Sequence, residues 1–261
     1  MLGRRQIPPQ FLEWNHKWQA PFGPGWGTDL AVADKFQAET ARRLGPFAYQ
    51  SNNTTRMLEY PWVFEKLAIT PGLNVLEIGG ALSGLQFVLA QHGARVTNVD
   101  PFLGYGASEE YPTRPEILHQ QLNCVFGTDV KLERRTLNEA RFPGETFDRA
   151  VCVSTIEHLP HEEISQTMKE AYRILKKGAL FVLTVDLFLD LFPFTRKHRN
   201  RWGTNVSICW LLQQSRLKLV SGNRKELFGY AQFNARRIQA RLGDYLIGEY
   251  PTMVQLLVLQ K

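Results

Sequence analysis

The run Val75-Leu76-Glu77-Ile78-Gly79-Gly80-Ala81-Leu82-Ser83-Gly84 limits what this chain can fold into more than any other stretch of its 261 residues. It begins as a short apolar strand and ends in spaced glycines. Leu82, Leu85, Val88 and Leu89 then recur at helical spacing, and Gly93 closes the helix. Arg95 to Asp100 reads as a second strand, and Asp100 falls 21 residues after Gly79. A strand that turns through glycine into a helix and returns as a strand is a βαβ unit, which demands a parallel sheet.

The rest of the chain keeps this alternation. Val130 to Arg134 predicts a third strand and Phe147 to Ser154 a fourth. Ile164, Met168, Ala171 and Leu175 mark a helix closed by Lys176-Lys177-Gly178. Ala179 to Val185 is a fifth strand. Leu217 to Val220 and Met253 to Leu259 complete the set. Ahead of the first strand, Asp29 to Leu44 reads as a helix ended by Gly45-Pro46. A second helix runs from a cap at Thr54 or Thr55 to about Leu67, with Met57, Tyr60, Val63, Phe64 and Leu67 on one stripe. The expected architecture is α/β: a doubly wound, mostly parallel seven-stranded sheet with helices on both faces.

The glycine-rich turn lets a ligand approach the backbone, and an acid at the end of the second strand can accept hydrogen bonds from a ribose diol. These parts make a nucleoside-cofactor site without naming the cofactor. Gly79-x-Ala81-x-x-Gly84 also fits a dinucleotide fingerprint with one Ala for Gly. The missing Gly-Lys-Ser/Thr argues against a triphosphate loop.

Two further runs narrow the choice. Phe147-Asp148, a strand and then Ile156-Glu157-His158-Leu159-Pro160 form one. Ala171-Tyr172-Arg173-Ile174-Leu175-Lys176-Lys177-Gly178 forms the other. With the first run, and in this order, they resemble the class I S-adenosylmethionine-dependent methyltransferases over about Leu73 to Val185 plus the last strand pair. The sequence departs from that family at Ala81, where Gly is usual, and at Ser83, where Gly is frequent. The resemblance implies a Rossmann-like methyltransferase core over 71–261 and S-adenosylmethionine as cofactor. It implies Glu77 near the cofactor's amino group and Gly79, Gly80 and Ala81 along its methionine part. Asp100 would take the ribose, Pro101 and Phe102 would lie near the adenine, and Asn138 would face its amino group. Ser154 and Arg56 complete the expected cofactor set, Arg56 at the carboxylate.

A hydroxyl acceptor benefits from a general base, and histidine is the commonest. His158 follows the fourth strand at the acceptor side and is the first candidate, with His161 second. The cluster Glu157, His158, His161 and Glu162 resembles a metal-binding run of one RNA 3′-end methyltransferase group. Ser154 stands where that run begins with Glu, so no metal is expected.

The ends bear on the acceptor. Residues 1–70 are expected to form an aromatic, helical lid, with Trp14, Trp18 and Trp26 meeting the substrate. Insertions are expected at about 187–210 and 222–250, the latter helical. The chain carries 31 basic and 25 acidic residues, a net charge of +6. Residues 191–261 hold 12 of the basic and three of the acidic side chains, a local balance of +9. Arg196, Arg199 and Arg201 cluster right after the fifth strand, and guanidinium groups suit phosphate or carboxylate. No apolar run is long enough to span a membrane, Met1 to Pro9 is not expected to act as a secretory signal, and three scattered cysteines suit a reducing, cytoplasmic setting. The apolar run 187–194 suits a pocket wall or a contact in an oligomer.

The expected activity is methyl transfer to O or N of a small-molecule acceptor, one bearing an acidic group. An RNA or nucleotide methyltransferase is the alternative. A non-catalytic binding partner is a third reading, kept open by the altered glycines. Nucleic acid is the lesser expectation because no appended RNA-binding module is present.

Overall fold

Strands and helices alternate as the βαβ reading requires. The computed structural model describes residues 1–24, 36–103, 114–249 and 251–261. In chain order the elements before the sheet are α1 (Pro9–Trp18), α2 (Ala38–Leu44) and α3 (Arg56–Leu67). Then come β1 (Asn74–Ile78), α4 (Gly84–Gln91), β2 (Arg95–Val99), α5 (Pro115–Phe126), β3 (Lys131–Glu133) and α6 (Leu137–Ala140). They are followed by β4 (Phe147–Val153), α7 (His161–Ile174), β5 (Leu175–Phe188), α8 (Ile208–Gln213), β6 (Lys218–Ser221), α9 (Ala235–Gln239) and β7 (Thr252–Gln260).

The seven strands lie in the order β3-β2-β1-β4-β5-β7-β6. β1 pairs in parallel with β2 and β4, β2 with β3, and β4 with β5. β7 is antiparallel to both β5 and β6. The order reverses between β1 and β4, so their carboxyl ends open a crevice where ligands of such sheets bind. One apolar core, with Val75, Val88, Val151 and Val182, lies under α3 and α4. Another, with Leu76, Cys152, Ile164 and Met168, lies under α7 and α8. Both faces are therefore covered, as the continuous apolar strands require.

Three local expectations change. β5 starts at Leu175 rather than Ala179, because Leu175 is buried and pairs with Phe147 across an irregular register. The stretch 222–250 is not a helical insertion. Among its described residues it holds the five-residue α9 and a 3₁₀ turn at Leu242–Asp244. Aromatic packing holds it instead: Phe228 meets Phe233 at 5.7 Å and Phe192 at 6.1 Å, and Phe194 meets Phe233 at 6.4 Å. The two insertions thus form one aromatic cap beyond β5. Of the helix expected over Asp29–Leu44, only Ala38–Leu44 is helical among the described residues: Phe36 and Gln37 are not, Gln37 being extended, and 29–35 lie outside the described residues.

The described residues among the first seventy pack into the core rather than standing apart as a lid. Leu2 is fully buried and bridges to Gln255, and Gly3 donates its amide to Val254 at 2.8 Å. This fills the side of β7 that β6 leaves open. α3 is buried nearly all round, against the sheet and α1, which exceeds the single stripe expected of it. Pro61 inside α3 has no amide for the carbonyl of Met57. The buried Asn15 of α1 supplies the missing donor at 2.7 Å.

Candidate active site

The turn after β1 is built by its neighbours. Gly79 has φ +68°, and a Cβ there would stand 2.3 Å from Thr155. Gly80 lies over the Glu77 carboxyl, and Gly84 against the ring of Phe47. Ala81 adopts φ +43°, a left-handed conformation that costs an L-residue about 1–2 kcal/mol. Three side chains hold it there. Its amide donates to Asp100 Oδ2 at 2.9 Å. Its carbonyl accepts from Asn98 at 2.7 Å and Gln86 at 3.2 Å. The turn thus keeps a glycine-like shape although the sequence has Ala. Gln86 is braced in turn by His119 of α5 at 2.8 Å. Asn98, Gln86 and His119 were not singled out from the sequence. The signal for them was polar side chains at apolar positions of β2, α4 and α5.

Below the turn, Glu77 is buried and accepts from Ser83 at 2.7 Å, while its Oε2 has no partner. Burial pushes its carboxyl up to about 8. Asn98 Oδ1, also buried without a partner, borders the same space beside Gly80.

A cavity of about 290 Å³ opens at the carboxyl ends of the strands. Gly79, Asp100, Pro101, Asn138 and Thr155 line it, with Ile78, Val99, Leu137 and Leu159 as apolar walls. Asp100 is fixed by two backbone amides, from Ala81 and from Phe102 at 2.6 Å. A carboxylate has about four acceptor positions, so capacity remains for a diol. Burial raises the Asp100 carboxyl above its ordinary range. Asn138 donates its amide to Gln166 at 3.3 Å, which turns its carbonyl oxygen to acceptor duty. This donor and acceptor set fits a nucleoside: apolar walls for a ring, a carboxylate for hydroxyls and an amide oxygen for an amino group.

On the other side of the turn, the ends of β4 and β5 meet α3. Glu59 is fully buried and accepts from Thr184 at 2.5 Å, Thr55 at 2.6 Å and Ser154, and it pairs with Arg56. The Ser154 hydroxyl lies 2.8 Å from Glu59 Oε1 and 3.2 Å from Asp186 Oδ1. Arg56 donates to Ser154 at 2.8 Å. Thr55 therefore orients Glu59 rather than capping α3. Burial works against the Glu59 charge, but Arg56 and the hydroxyl donors hold its carboxyl below the ordinary range.

His158 closes a short 3₁₀ turn, Ile156–His158, after β4. Its Nδ1 bonds to the carbonyl of Trp202. A carbonyl only accepts, so Nδ1 carries the proton and Nε2 is the basic nitrogen of the neutral ring. The loop 192–203 is bolted to this turn: Thr204 donates to the Glu157 carbonyl at 3.0 Å, and Asn200 accepts from Trp202 at 2.8 Å and Gly203 at 3.0 Å. Arg196, Arg199 and Arg201 are exposed on that loop, Arg201 with its guanidinium 4.3 Å from the centre of the Trp202 ring. His161 is exposed and packs on Trp210 at a tilt, ring centres 4.6 Å apart, outside the cavity lining.

Trp14 and Trp18 are not among the described residues that line the cavity. Trp14 packs on Phe47 and Phe64, and Trp18 on His92 at the far end of α4. α4 runs away from the carboxyl end of β1, so Trp18 sits at the opposite edge of the sheet. Their apolar area secures α1 to the core. Trp26 lies outside the described residues.

Residues 76–183 match the family model described as a methyltransferase domain. Over 131 residues, 49% of this chain and 51% of the relative, the sequence is 30% identical to a ubiquinone biosynthesis O-methyltransferase of Pseudomonas entomophila. Over 122 residues, 46% of this chain and 33% of the relative, it is 25% identical to a sterol 4-C-methyltransferase of Caenorhabditis elegans. The match thus spans about half the length of the bacterial relative and a third of the nematode one. Among solved structures, the [4+2]-cyclase SpnF superposes with a TM-score of 0.58 at 13% identity, covering 89% of this chain and 93% of that one. An S-adenosylmethionine-dependent methyltransferase of Methanosarcina mazei gives 0.51 at 18%, covering 76% and 96%. These superpositions speak for the fold, and SpnF shows that this fold also hosts other reactions. The matched segment is thus similar in sequence to a methyltransferase domain, and its sheet has the fold of S-adenosylmethionine-dependent methyltransferases. S-adenosylmethionine is the cofactor of that domain. Among the described residues no helix is long and apolar enough to cross a membrane, and no cluster of His, Cys, Asp and Glu is arranged to hold a metal.

Proposed function

We propose that this chain transfers a methyl group to an oxygen or nitrogen of a small-molecule acceptor bearing an acidic group, with His158 as proton acceptor. The observation that carries this reading is the fixed imidazole at the end of β4, its Nδ1 committed to Trp202 on the arginine-bearing loop. S-adenosylmethionine supplies an electrophilic methyl group when bound. Everything else falls to the chain's own residues. Asp100 and Asn138 hold the nucleoside in the cavity, with Pro101 and Phe102 beside its base. Gly79, Gly80 and Ala81 line the path toward Ser154. His158 Nε2 takes the proton as a hydroxyl becomes a nucleophile. Arg196, Arg199 and Arg201 attract the acid group from the loop that also holds His158. Alignment and exclusion of water account for the remainder of such a displacement.

His158→Ala is expected to cut turnover on a hydroxyl acceptor by ~10²–10⁴-fold. The assay is transfer of radiolabelled methyl to a panel of small phenols, hydroxy acids and amines. A wild-type rate in the variant removes His158 from the mechanism. The exposed Arg236, Arg237 and Arg241 favour the RNA or nucleotide alternative. That alternative requires RNA affinity that falls steeply with salt, and salt-insensitive or undetectable binding discards it.

A further inference from the structure

The glycine turn is held from behind by a buried polar chain that starts on α5. His119, Gln86 and Asn98 are all buried, on α5, α4 and β2, where apolar side chains would fill the same space at lower cost. Asn123 anchors the chain. Its Oδ1 accepts from the Val130 amide at 2.9 Å and the Thr128 hydroxyl at 2.7 Å, and its Nδ2 donates to the Val130 carbonyl at 2.9 Å. The same Nδ2 lies 3.5 Å from His119 Nδ1. An amide nitrogen only donates, so Nδ1 accepts and Nε2 carries the proton. Burial favours this neutral ring and pushes the His119 imidazole down to about 4. The ring also packs against Phe87, centres 5.4 Å apart.

His119 Nε2 donates to Gln86 Oε1 at 2.8 Å, and Asn98 donates to the same oxygen at 3.2 Å. With its oxygen held on that side, Gln86 presents its nitrogen to the turn. The nitrogen donates to the Ser83 carbonyl at 3.0 Å and to the Ala81 carbonyl at 3.2 Å. A flipped amide would set its oxygen against those carbonyls, acceptor against acceptor. On the other side of the residue, the Ala81 amide holds Asp100 Oδ2 at 2.9 Å, and Asp100 lines the nucleoside cavity. The chain thus runs from the backbone ahead of β3 to the carboxylate in the cavity. The link it holds is strained. Ala81 sits at φ +43°, a conformation that an L-residue populates about five- to thirtyfold less than the ordinary helical one. Glycine takes it freely.

We propose that His119 is a positioning residue for the cofactor: through Gln86 it holds Ala81 in the left-handed turn, and so keeps Asp100 placed for the ribose. The relay does in this chain what a glycine at position 81 would do without it. The inference rests on the cavity being the nucleoside site.

A double-mutant cycle tests the relay. S-adenosylhomocysteine is titrated calorimetrically into wild type, His119→Phe and Gln86→Leu, then into Ala81→Gly alone and with each of the two substitutions. Phenylalanine keeps a ring beside Phe87, and leucine keeps apolar bulk in α4, but neither donates a hydrogen bond. With Ala81 present, each substitution should weaken binding about two- to tenfold, the worth of one hydrogen bond. With Ala81→Gly, the same substitutions should change affinity by less than about twofold, because glycine holds the turn unaided. A side chain that merely fills the core costs the same factor in both backgrounds, and that result overturns the relay while leaving the nucleoside site standing. Undiminished affinity of both variants with Ala81 present also overturns it. Circular dichroism reports whether each variant folds, and two variants are made so that one decides if the other unfolds. Absence of binding to wild type overturns the relay and the nucleoside site together.

Discussion

Glu77→Gln is expected to stabilise the protein, and increasingly so as pH rises. The carboxyl has an ordinary value of 4.5 and is pushed by burial to about 8 in the fold. Between these values the unfolded chain has lost a proton that the folded chain still holds. Folding then binds a proton, so stability falls as pH climbs through that window. Each unit is worth about 1.4 kcal/mol, which makes the loss between pH 5 and pH 8 roughly 3 kcal/mol. Glutamine has no proton to keep. Its oxygen can still accept from Ser83, and its amide can turn toward the unpartnered Asn98 Oδ1 beside Gly80. Chemical denaturation of both proteins at pH 5, 6.5 and 8 is the assay. The advantage of the variant should be small at pH 5 and larger by about 3 kcal/mol at pH 8. A constant offset across the range would show that Glu77 is ionised in the fold, and would refute the account of the buried acid.

Two other perturbations test the supports of the site. Gly203→Ala places a Cβ 2.0 Å from the Glu157 carbonyl at a residue with φ +150°, so the loop must shift and the Trp202 carbonyl must leave His158. Turnover should fall toward that of His158→Ala while cofactor affinity holds, and unchanged turnover contradicts the role of the loop. Asn15→Ala strips the Met57 carbonyl of its donor inside α3 and should cost about 1–3 kcal/mol in denaturant unfolding. A neutral result would mean that Pro61 leaves that carbonyl solvated by other means.

The sheet was legible because its signal is redundant. β1 and β4 are short, largely apolar runs next to a turn residue, and the bounds of β1 to β4 fall within a residue or two of those expected. The helix α5 was passed over, although Pro115 and Gly127 bracket it and Leu118 and Leu122 share its buried face. Aromatic content misled twice. Trp14 and Trp18 read as a lid because composition does not say which side of a helix faces inward. The 222–250 stretch read as helical although Gly222, Gly229 and Gly243 interrupt it, and Gly229 is seated against Ser207. The acceptor-side carboxylates were the least legible. Glu59 lies on a helix whose stripe looked purely apolar, and its four partners are Thr55 and Arg56 at the start of that helix, Ser154 just after β4 and Thr184 of β5, which no local pattern can assemble.

The account stands or falls on the cavity at the ends of β1 to β4 being the nucleoside site. Calorimetric titration of S-adenosylhomocysteine into wild type and Asp100→Ala tests it most directly. Asp100 both faces the cavity and holds the Ala81 amide, so its loss should abolish measurable binding while the protein stays folded. Equal affinity in the two proteins would contradict the assignment.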